Sequence, residues 1–172
     1  FPKGIIVRSK IDELKQIFKA NQTKELFFDV SSKKLFLYKD VEESSLKLAK
    51  YLESLGIEKG DKLGIILPNC NEFILLYFAL MQIGAIVVPI NPGLHVDEIE
   101  QLIKLSEIKT LFIDSPNCKR ISLTIENSVS LQTLVLRLSA GEGVQSDDLN
   151  CVDLFSEIAK YEKIDNESFL RI

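Results

Sequence analysis

Between residues 62 and 138 the sequence alternates short apolar runs with segments of helical periodicity, and this alternation constrains the fold more than any other feature. The predicted strands cover 63–67, 86–90, 110–114 and 133–138. Predicted helices over about 71–83 and 96–106 separate the first three strands, and a weaker helical segment over about 118–128 precedes the fourth. Strands that alternate with helices form βαβ units, in which a right-handed crossover joins parallel strands.

The strongest predicted strands have no polar face. Ile65-Ile66-Leu67 and Ile86-Val87-Val88 are continuous apolar runs, so we expect helices on both faces of the sheet. The helix over 71–83 is apolar nearly all round, which indicates that other elements cover it on several sides. In the next helix, Leu105 is assigned to the apolar side together with Ile99. The sequence therefore predicts an α/β fold with a doubly wound, mainly parallel sheet.

The region before this alternation is predicted to contain two helices and a small β-hairpin. A helix over about 10–20 comes first, and Ser31-Ser32-Lys33 then separates two β-like runs, 25–30 and 34–38. The next helix ends just before Gly56, a residue suited to the left-handed conformation of a helix C-cap.

The region after residue 138 carries weaker signals. Gly141-Glu142-Gly143 and Ser146 loosely match a GxGxxG pattern, but Asp147-Asp148 follows where a helix N-terminus would have to meet a phosphate. We interpret 139–150 as a loop and predict one more helix over 152–161, with no assignment for the last residues. The 172 residues are expected to form a single domain.

Composition excludes several classes of function. The net charge of −4 has no basic patch to offset it, which disfavours nucleic-acid binding. The cysteines Cys70, Cys118 and Cys151 and the single histidine, His95, do not form a zinc-binding pattern, so we expect reduced thiols. The longest apolar run, 73–81, is too short to span a membrane, and no signal peptide is recognised. We therefore predict a cytoplasmic protein.

The side chains with reactive groups each have a structural explanation. Cys70 lies near a helix N-terminus, where a thiol pKa can fall, but no base stands near it in the sequence. His95 is interpreted as a cap or surface residue. The acidic pairs Glu42-Glu43 and Asp97-Glu98 are assigned to first helical turns, where they stabilise the helix dipole. None of these residues is assigned as catalytic, cofactor-binding or metal-binding.

Asn69, Asn91 and Asp114 form a more interesting group, because each follows or ends a predicted parallel strand. Ligands of open α/β sheets bind at this carboxyl edge. Asparagine and aspartate are also favoured in turns and helix caps. Both explanations stay open, and the sequence favours turns and caps.

Five motifs are more specific as a set than singly. They are Leu37-Tyr38-Lys39-Asp40-Val41, Leu48-Ala49-Lys50-Tyr51-Leu52, Leu55-Gly56-Ile57-Glu58-Lys59-Gly60-Asp61-Lys62, Leu67-Pro68-Asn69-Cys70-Asn71-Glu72-Phe73 and Gly84-Ala85-Ile86-Val87-Val88-Pro89-Ile90-Asn91-Pro92. The set resembles the N-terminal subdomain of the adenylate-forming (AMP-binding) superfamily, which includes acyl-CoA synthetases, firefly luciferase and nonribosomal-peptide adenylation domains. The resemblance is strongest over 10–115 and is closest to fatty-acid and aryl-acid CoA ligases, although His95 stands where Thr or Ser is more usual.

The resemblance implies a two-step reaction in a full-length parent enzyme. A carboxylate attacks ATP to give an acyl-adenylate and pyrophosphate, and coenzyme A then takes the acyl group. ATP, Mg²⁺ and coenzyme A would serve that parent, with a medium- or long-chain fatty acid as substrate. The sequence contains neither the family's Ser/Thr/Gly-rich phosphate loop ending in Pro-Lys-Gly nor its Thr-Gly-Asp ribose motif, hinge or late catalytic lysine. No catalytic residue is therefore carried over.

Three hypotheses follow. The first is an N-terminal fragment of an AMP-forming acyl-CoA synthetase, inactive alone and prone to self-association through the surface that the missing part would cover. The second is a stand-alone, non-catalytic binding or interaction domain of the same fold. The third is a flavodoxin-like nucleotide binder. The sequence leaves open whether this chain is itself an enzyme.

Overall fold

The computed structural model describes residues 10–30, 33–127, 131, 133–137 and 150–153. Helices and strands follow each other in the order α1 Lys10–Asn21, β1 Glu25–Asp29, β2 Lys34–Leu37, α2 Tyr38–Ser54, β3 Lys62–Ile66, α3 Asn71–Ile83, β4 Ile86–Pro89, α4 Val96–Ser106, β5 Thr110–Asp114, α5 Ser115–Arg120, α6 Ser122–Asn127, β6 Thr133–Arg137 and β7 Asn150–Asp153.

Strands β3 to β7 form one parallel sheet in the order β4-β3-β5-β6-β7. Gly64 of the inner strand β3 is opposite Val88 on one side and Leu111 on the other. The chain moves from β3 to β4, and then passes back across β3 to reach β5. Since right-handed crossovers that run in opposite directions place their helices on opposite faces, this order requires a helical layer on each face.

Two buried clusters show these layers. One cluster joins side chains of β3 such as Leu63 and Ile65 to α2 and α3, where Leu52 and Leu76 are fully buried. The other joins the opposite face of the sheet, including Ile66, to α4, α5 and α6. The predicted α/β, doubly wound, mainly parallel architecture is confirmed.

Local hydrogen bonds decide where several helices begin and end. Gly56 and Gly84 have φ values of 85° and 81°, as expected for left-handed caps. The Asp40 carboxylate accepts a hydrogen bond from the Leu37 amide, with an N–Oδ2 distance of 3.1 Å. This bond begins α2 at Tyr38, which the sequence placed at the end of a strand. Glu42 and Glu43 therefore lie beyond the first turn, where Asp40 is the acidic residue.

The predicted hairpin is confirmed as a separate two-stranded sheet. β1 and β2 are antiparallel, with Phe28 opposite Leu35 and a bulge between Glu25 and Phe27. Ser31 and Ser32, which the sequence placed in its turn, lie outside the described residues.

Three other expectations are wrong. The helical segment over 118–128 is two short helices, α5 and α6, because Asp114 caps a helix that already begins at Ser115. Leu105 is 79% exposed, since it lies about 120° around α4 from the buried Ile99. Residues 150–153 form β7 parallel to β6, so the predicted loop ends before Asn150 and the predicted helix does not include 152 and 153. Gly141, Gly143 and Ser146 lie outside the described residues.

Candidate functional site

The polar residues Asn69, Asn91 and Asp114 lie at three neighbouring strand ends, as the sequence predicted. β3 stands between β4 and β5, and all three strands are parallel, so their carboxyl ends meet at one edge of the sheet. The connections that leave β3 and β4 lead to helices on opposite faces. Such a reversal opens a crevice where open α/β sheets bind ligands.

Two of these three side chains are used in local hydrogen bonds. The Asn91 Oδ1 atom accepts a bond of 2.9 Å from the Gly93 amide. The Asp114 Oδ1 atom accepts bonds of 3.0 Å from the Asn117 backbone amide and 2.7 Å from its side-chain amide. Asn91 thus closes a turn and Asp114 caps α5, the roles that such residues have in many loops. Asn69 is exposed in the bend that follows β3.

Arg120 connects the loop after β4 to α5 at this edge, and no pattern in the sequence indicated this role. Its Nη1 donates to the Leu94 carbonyl over 2.9 Å, and its Nη2 donates to the Pro92 carbonyl and to the Asn117 Oδ1 atom. The two carbonyls are 28 and 26 residues away in the chain, so only the folded structure brings them to the guanidinium. The planar fork of arginine suits two such acceptors. Arg120 therefore fixes the β4–α4 loop against α5.

The remaining candidates have structural roles. His95 is exposed, and its backbone amide donates to the Glu98 carboxylate over 2.9 Å, which closes the N-terminus of α4. Cys70 stands at the N-cap of α3, half-buried against the cluster that α2 and α3 share. Cys118 is buried in the other cluster, and Cys151 lies in β7. Cys70 and Cys118 are in the thiol form.

The opposite edge of the sheet carries an ion pair. Lys62, the first residue of β3, donates a hydrogen bond from Nζ to the Oε2 atom of Glu107 over 2.9 Å. This bond and the ammonium charge hold the pKa of Glu107 below its ordinary value. Glu107 is 76% exposed and has a φ of 54°, where it ends α4. The pair lies far from the strand ends described above, because it joins the amino end of β3 to the end of α4, just before β5.

A small pocket lies between the helices on one face. Ile11, Leu14 and Phe18 of α1 line it together with residues of α2 and α3. The Gln82 side chain donates to Ser45 Oγ over 2.9 Å within this lining. The pocket lies where side chains of three helices pack, and two of its polar groups, Gln82 and Ser45, bond to each other.

Within the described ranges no group of three or more His, Cys, Asp or Glu side chains could hold a metal ion. The Oδ1 atoms of Asn91 and Asp114 at the carboxyl edge accept hydrogen bonds from the chain itself. We therefore derive no chemical step from this chain. No helix among the described residues is long and apolar enough to cross a membrane.

The proteins that are similar in sequence to this chain include CoA ligases. A crotonobetaine/carnitine–CoA ligase of Salmonella paratyphi A is 36% identical over 126 residues, which cover 72% of this chain and 23% of that ligase. A 4-coumarate–CoA ligase-like protein of Arabidopsis thaliana is 29% identical over 145 residues, covering 84% of this chain and 25% of that protein. The chain thus spans about a quarter of the length of the relatives that it matches.

The structural comparison agrees in fold. The crystal structure of coronafacic acid ligase from Pectobacterium brasiliense superposes with a TM-score of 0.76 at 19% identity, covering 92% of this chain and 31% of that one. The sequence profile of the AMP-binding enzyme family matches residues 18–166, most of the chain. This match replaces the flavodoxin-like hypothesis. The chain belongs to the AMP-binding enzyme family.

Proposed function

We propose that residues 1–172 are a single, structural N-terminal domain of an AMP-forming acyl-CoA synthetase. The full-length enzyme would activate a carboxylic acid, a medium- or long-chain fatty acid, with ATP and Mg²⁺, and would transfer the acyl group to coenzyme A. The domain alone would not catalyse either step. Its place of action would be the cytoplasm.

One observation carries this proposal: the family profile covers 18–166, yet the chain spans only 23% of a related CoA ligase. The polar groups at the carboxyl edge of the sheet support the same conclusion, since Asn91 and Asp114 stabilise loops and α5. The role of the domain is therefore to build a scaffold, a sheet between two helical layers, on which the remainder of an enzyme rests.

The test compares the 172-residue chain with the full-length product of the gene that encodes it. ATP–pyrophosphate exchange is measured with a series of fatty and aromatic carboxylic acids, because exchange reports adenylate formation without requiring coenzyme A. We expect exchange with the full-length protein and none with the 172-residue chain. In the same series, the acid that supports exchange at the lowest concentration identifies the substrate class.

Binding of ATP–Mg²⁺ to the 172-residue chain is measured by calorimetry as the second arm. We expect binding weaker than millimolar, and micromolar affinity would contradict a purely structural domain. A gene that ends directly after Ile172, with no exchange activity, would instead support the stand-alone interaction domain.

A further inference from the structure

The amino edge of the parallel sheet, where the strands begin, carries two exposed apolar side chains. Leu105 is 79% exposed, the highest value among the large apolar side chains of the described residues, and Ile86 is 49% exposed. Ile86 is the first residue of β4, and α4 runs antiparallel to the strands that it connects, so Leu105 near its end lies at the same edge. Lys62, the partner of Ile86 in β3, bonds to Glu107, which brings the strand starts and the end of α4 together.

Lysine side chains stand beside these apolar residues. Lys104 precedes Leu105 in the last turn of α4, Lys109 lies just before β5, and Lys59 lies in the turn that leads into β3. The three lysines are exposed. None of them forms an ion pair with another residue in the part of the chain that the structure describes. Their ammonium groups are therefore available to a partner.

Acidic residues do not cancel this charge. The segments that form this corner, 57–62, 84–86 and 104–110, contain three acids, Glu58, Asp61 and Glu107. Glu107 is paired with Lys62, and the Asp61 carboxylate accepts a hydrogen bond from the Glu58 amide over 2.8 Å. The same segments contain four lysines, so their net charge is +1, whereas the whole chain has a net charge of −4.

The outer edge of β4 is unsuited to pairing with a further strand. The amides of Ile86 and Ile90 donate to carbonyls of the β3 segment. Since hydrogen bonding alternates along a strand, the backbone groups of Val87 and Pro89 point outward. Proline has no N–H, so Val87 supplies the single outward donor within β4. Proline on an edge strand is a common protection against strand addition, and this corner is therefore left to another kind of contact.

We propose that this corner binds the surface of an anionic lipid bilayer. We call it the amino-edge surface and define it by Ile86, Leu105, Lys59, Lys104 and Lys109. The two apolar side chains would enter the boundary between the lipid head groups and the acyl chains, and the lysines would contact the anionic head groups. This role goes beyond the proposed function, and it would leave the carboxyl edge of the sheet facing away from the membrane.

The shape and charge of the amino-edge surface favour a bilayer over other partners. A partner helix requires a groove for its apolar face, whereas Leu105, at 79% exposure, projects from the surface. A second copy of the chain, related by a two-fold axis, would bring two amino-edge surfaces of the same positive charge together, which is unfavourable. Lipid phosphates and carboxylates are complementary to the lysines.

Co-sedimentation of the full-length product of the gene with lipid vesicles tests the proposal. One set of vesicles contains phosphatidylcholine and phosphatidylserine, and the other contains phosphatidylcholine alone. We expect binding to the first set, and binding about tenfold or more weaker to the second, because each lysine near an anionic surface strengthens the attraction. Added salt should weaken the binding, since it screens exposed charges.

Substitutions on the surface locate the contact. Leu105→Ser should lower the affinity for phosphatidylserine vesicles about fivefold or more, because an apolar side chain no longer enters the bilayer. Leu123→Ser is the matched control, since Leu123 is 70% exposed on α6, and it should leave binding unchanged. Lys104→Glu should lower the affinity, whereas Lys39→Glu, at an exposed position in the first turn of α2, should not. Equal midpoints in urea denaturation show that each variant is folded.

Three results would overturn the inference. The first is absence of binding to the vesicles that contain phosphatidylserine, and the second is an equal effect of Leu105→Ser and Leu123→Ser on that binding. The third is a dimer in solution that Leu105→Ser converts to a monomer, measured by light scattering, which would assign the surface to a second copy. Sedimentation requires neither ATP nor coenzyme A, so its outcome is independent of ATP–pyrophosphate exchange.

Discussion

Replacing Gly64 by alanine tests the packing of the sheet at a crowded point. Gly64 lies in the middle of β3, and a Cβ atom added to it would point into the cluster that the sheet shares with α4. A Cβ atom there would lie 2.8 Å from Leu111 Cδ1 and 3.0 Å from Ile108 Cδ1. Favourable contacts between carbon atoms lie at about 3.5–4.0 Å, so both side chains would have to move. The side chains of Leu111 and Ile108 are both fully buried, so they cannot swing out into solvent to make room.

The expected cost follows from two opposing effects. Overpacking a filled core costs about 1–3 kcal/mol. Alanine restricts the unfolded chain more than glycine does, which returns about 0.4–1 kcal/mol where the backbone conformation is compatible. Steric strain is the larger effect, so we expect Gly64→Ala to lower the free energy of unfolding by about 1–2 kcal/mol. Urea denaturation followed by circular dichroism measures this change, which moves the midpoint by roughly 1 M or less for a typical slope.

Two further variants make the explanation specific. Leu111→Val removes the Cδ1 atom that lies nearest to the new Cβ, so the double variant should lose less stability than the sum of the two single changes. Gly93→Ala is the control, because its Cβ would meet only the exposed Asn91 Oδ1 at 3.3 Å, and it should shift stability by about 0.5 kcal/mol or less. A Gly64→Ala variant as stable as the unchanged protein, or strictly additive double-variant energies, would refute the reasoning.

Three other substitutions test a helix C-cap, a helix N-cap and an ion pair. Gly56→Ala should cost about 1–2 kcal/mol in urea denaturation, because φ is 85° there although no atom lies within 4 Å of the added Cβ; Gly56→Asn should cost less. Asp114→Ala should cost about 1 kcal/mol by removing the acceptor of both Asn117 amides, whereas Asp114→Asn should retain most stability. Glu107→Gln should lower the urea midpoint at pH 7, since Lys62 lowers the pKa of Glu107 in the folded state. That stabilisation is present above the unfolded pKa and is lost as pH falls through the folded pKa, so the difference should begin to shrink near the ordinary glutamate pKa of about 4.3 and vanish below the lowered pKa of the folded state; a difference that grows in acid would contradict the sign.

Local signals were sufficient for most helices and for the hairpin. The apolar periodicity of α2 and α3, and the glycines that end them, depend on residues within one or two turns of each other. The prediction failed at Tyr38, an aromatic residue of a type that favours strands. A local hydrogen bond from the Leu37 amide to the Asp40 carboxylate begins α2 there instead. Leu105 is apolar and close to the stripe of α4, yet the packing of Ile99 leaves it in solvent.

For the candidate site, the sequence predicted the positions of the residues but not their roles. That Asn69, Asn91 and Asp114 lie at one edge of the sheet follows from the alternation of strands and helices, because parallel strands end on the same side. Their roles do not follow from it, since caps and ligand contacts use the same residue types. Arg120 was invisible in the sequence because its acceptors are carbonyls of a loop 26 and 28 residues earlier.

By itself, the sequence determined that this chain forms a parallel α/β sheet with helices on both faces, and its motifs indicated the family to which it belongs. Periodicity, capping and short-range chain geometry carry that information. Only the tertiary structure decided that β3 lies between β4 and β5, that Gly64 meets Leu111 and Ile108, and that the hairpin stands apart with Phe28 and Leu35 exposed. These features depend on which distant surfaces pack together, and that choice is a property of the whole chain rather than of any segment.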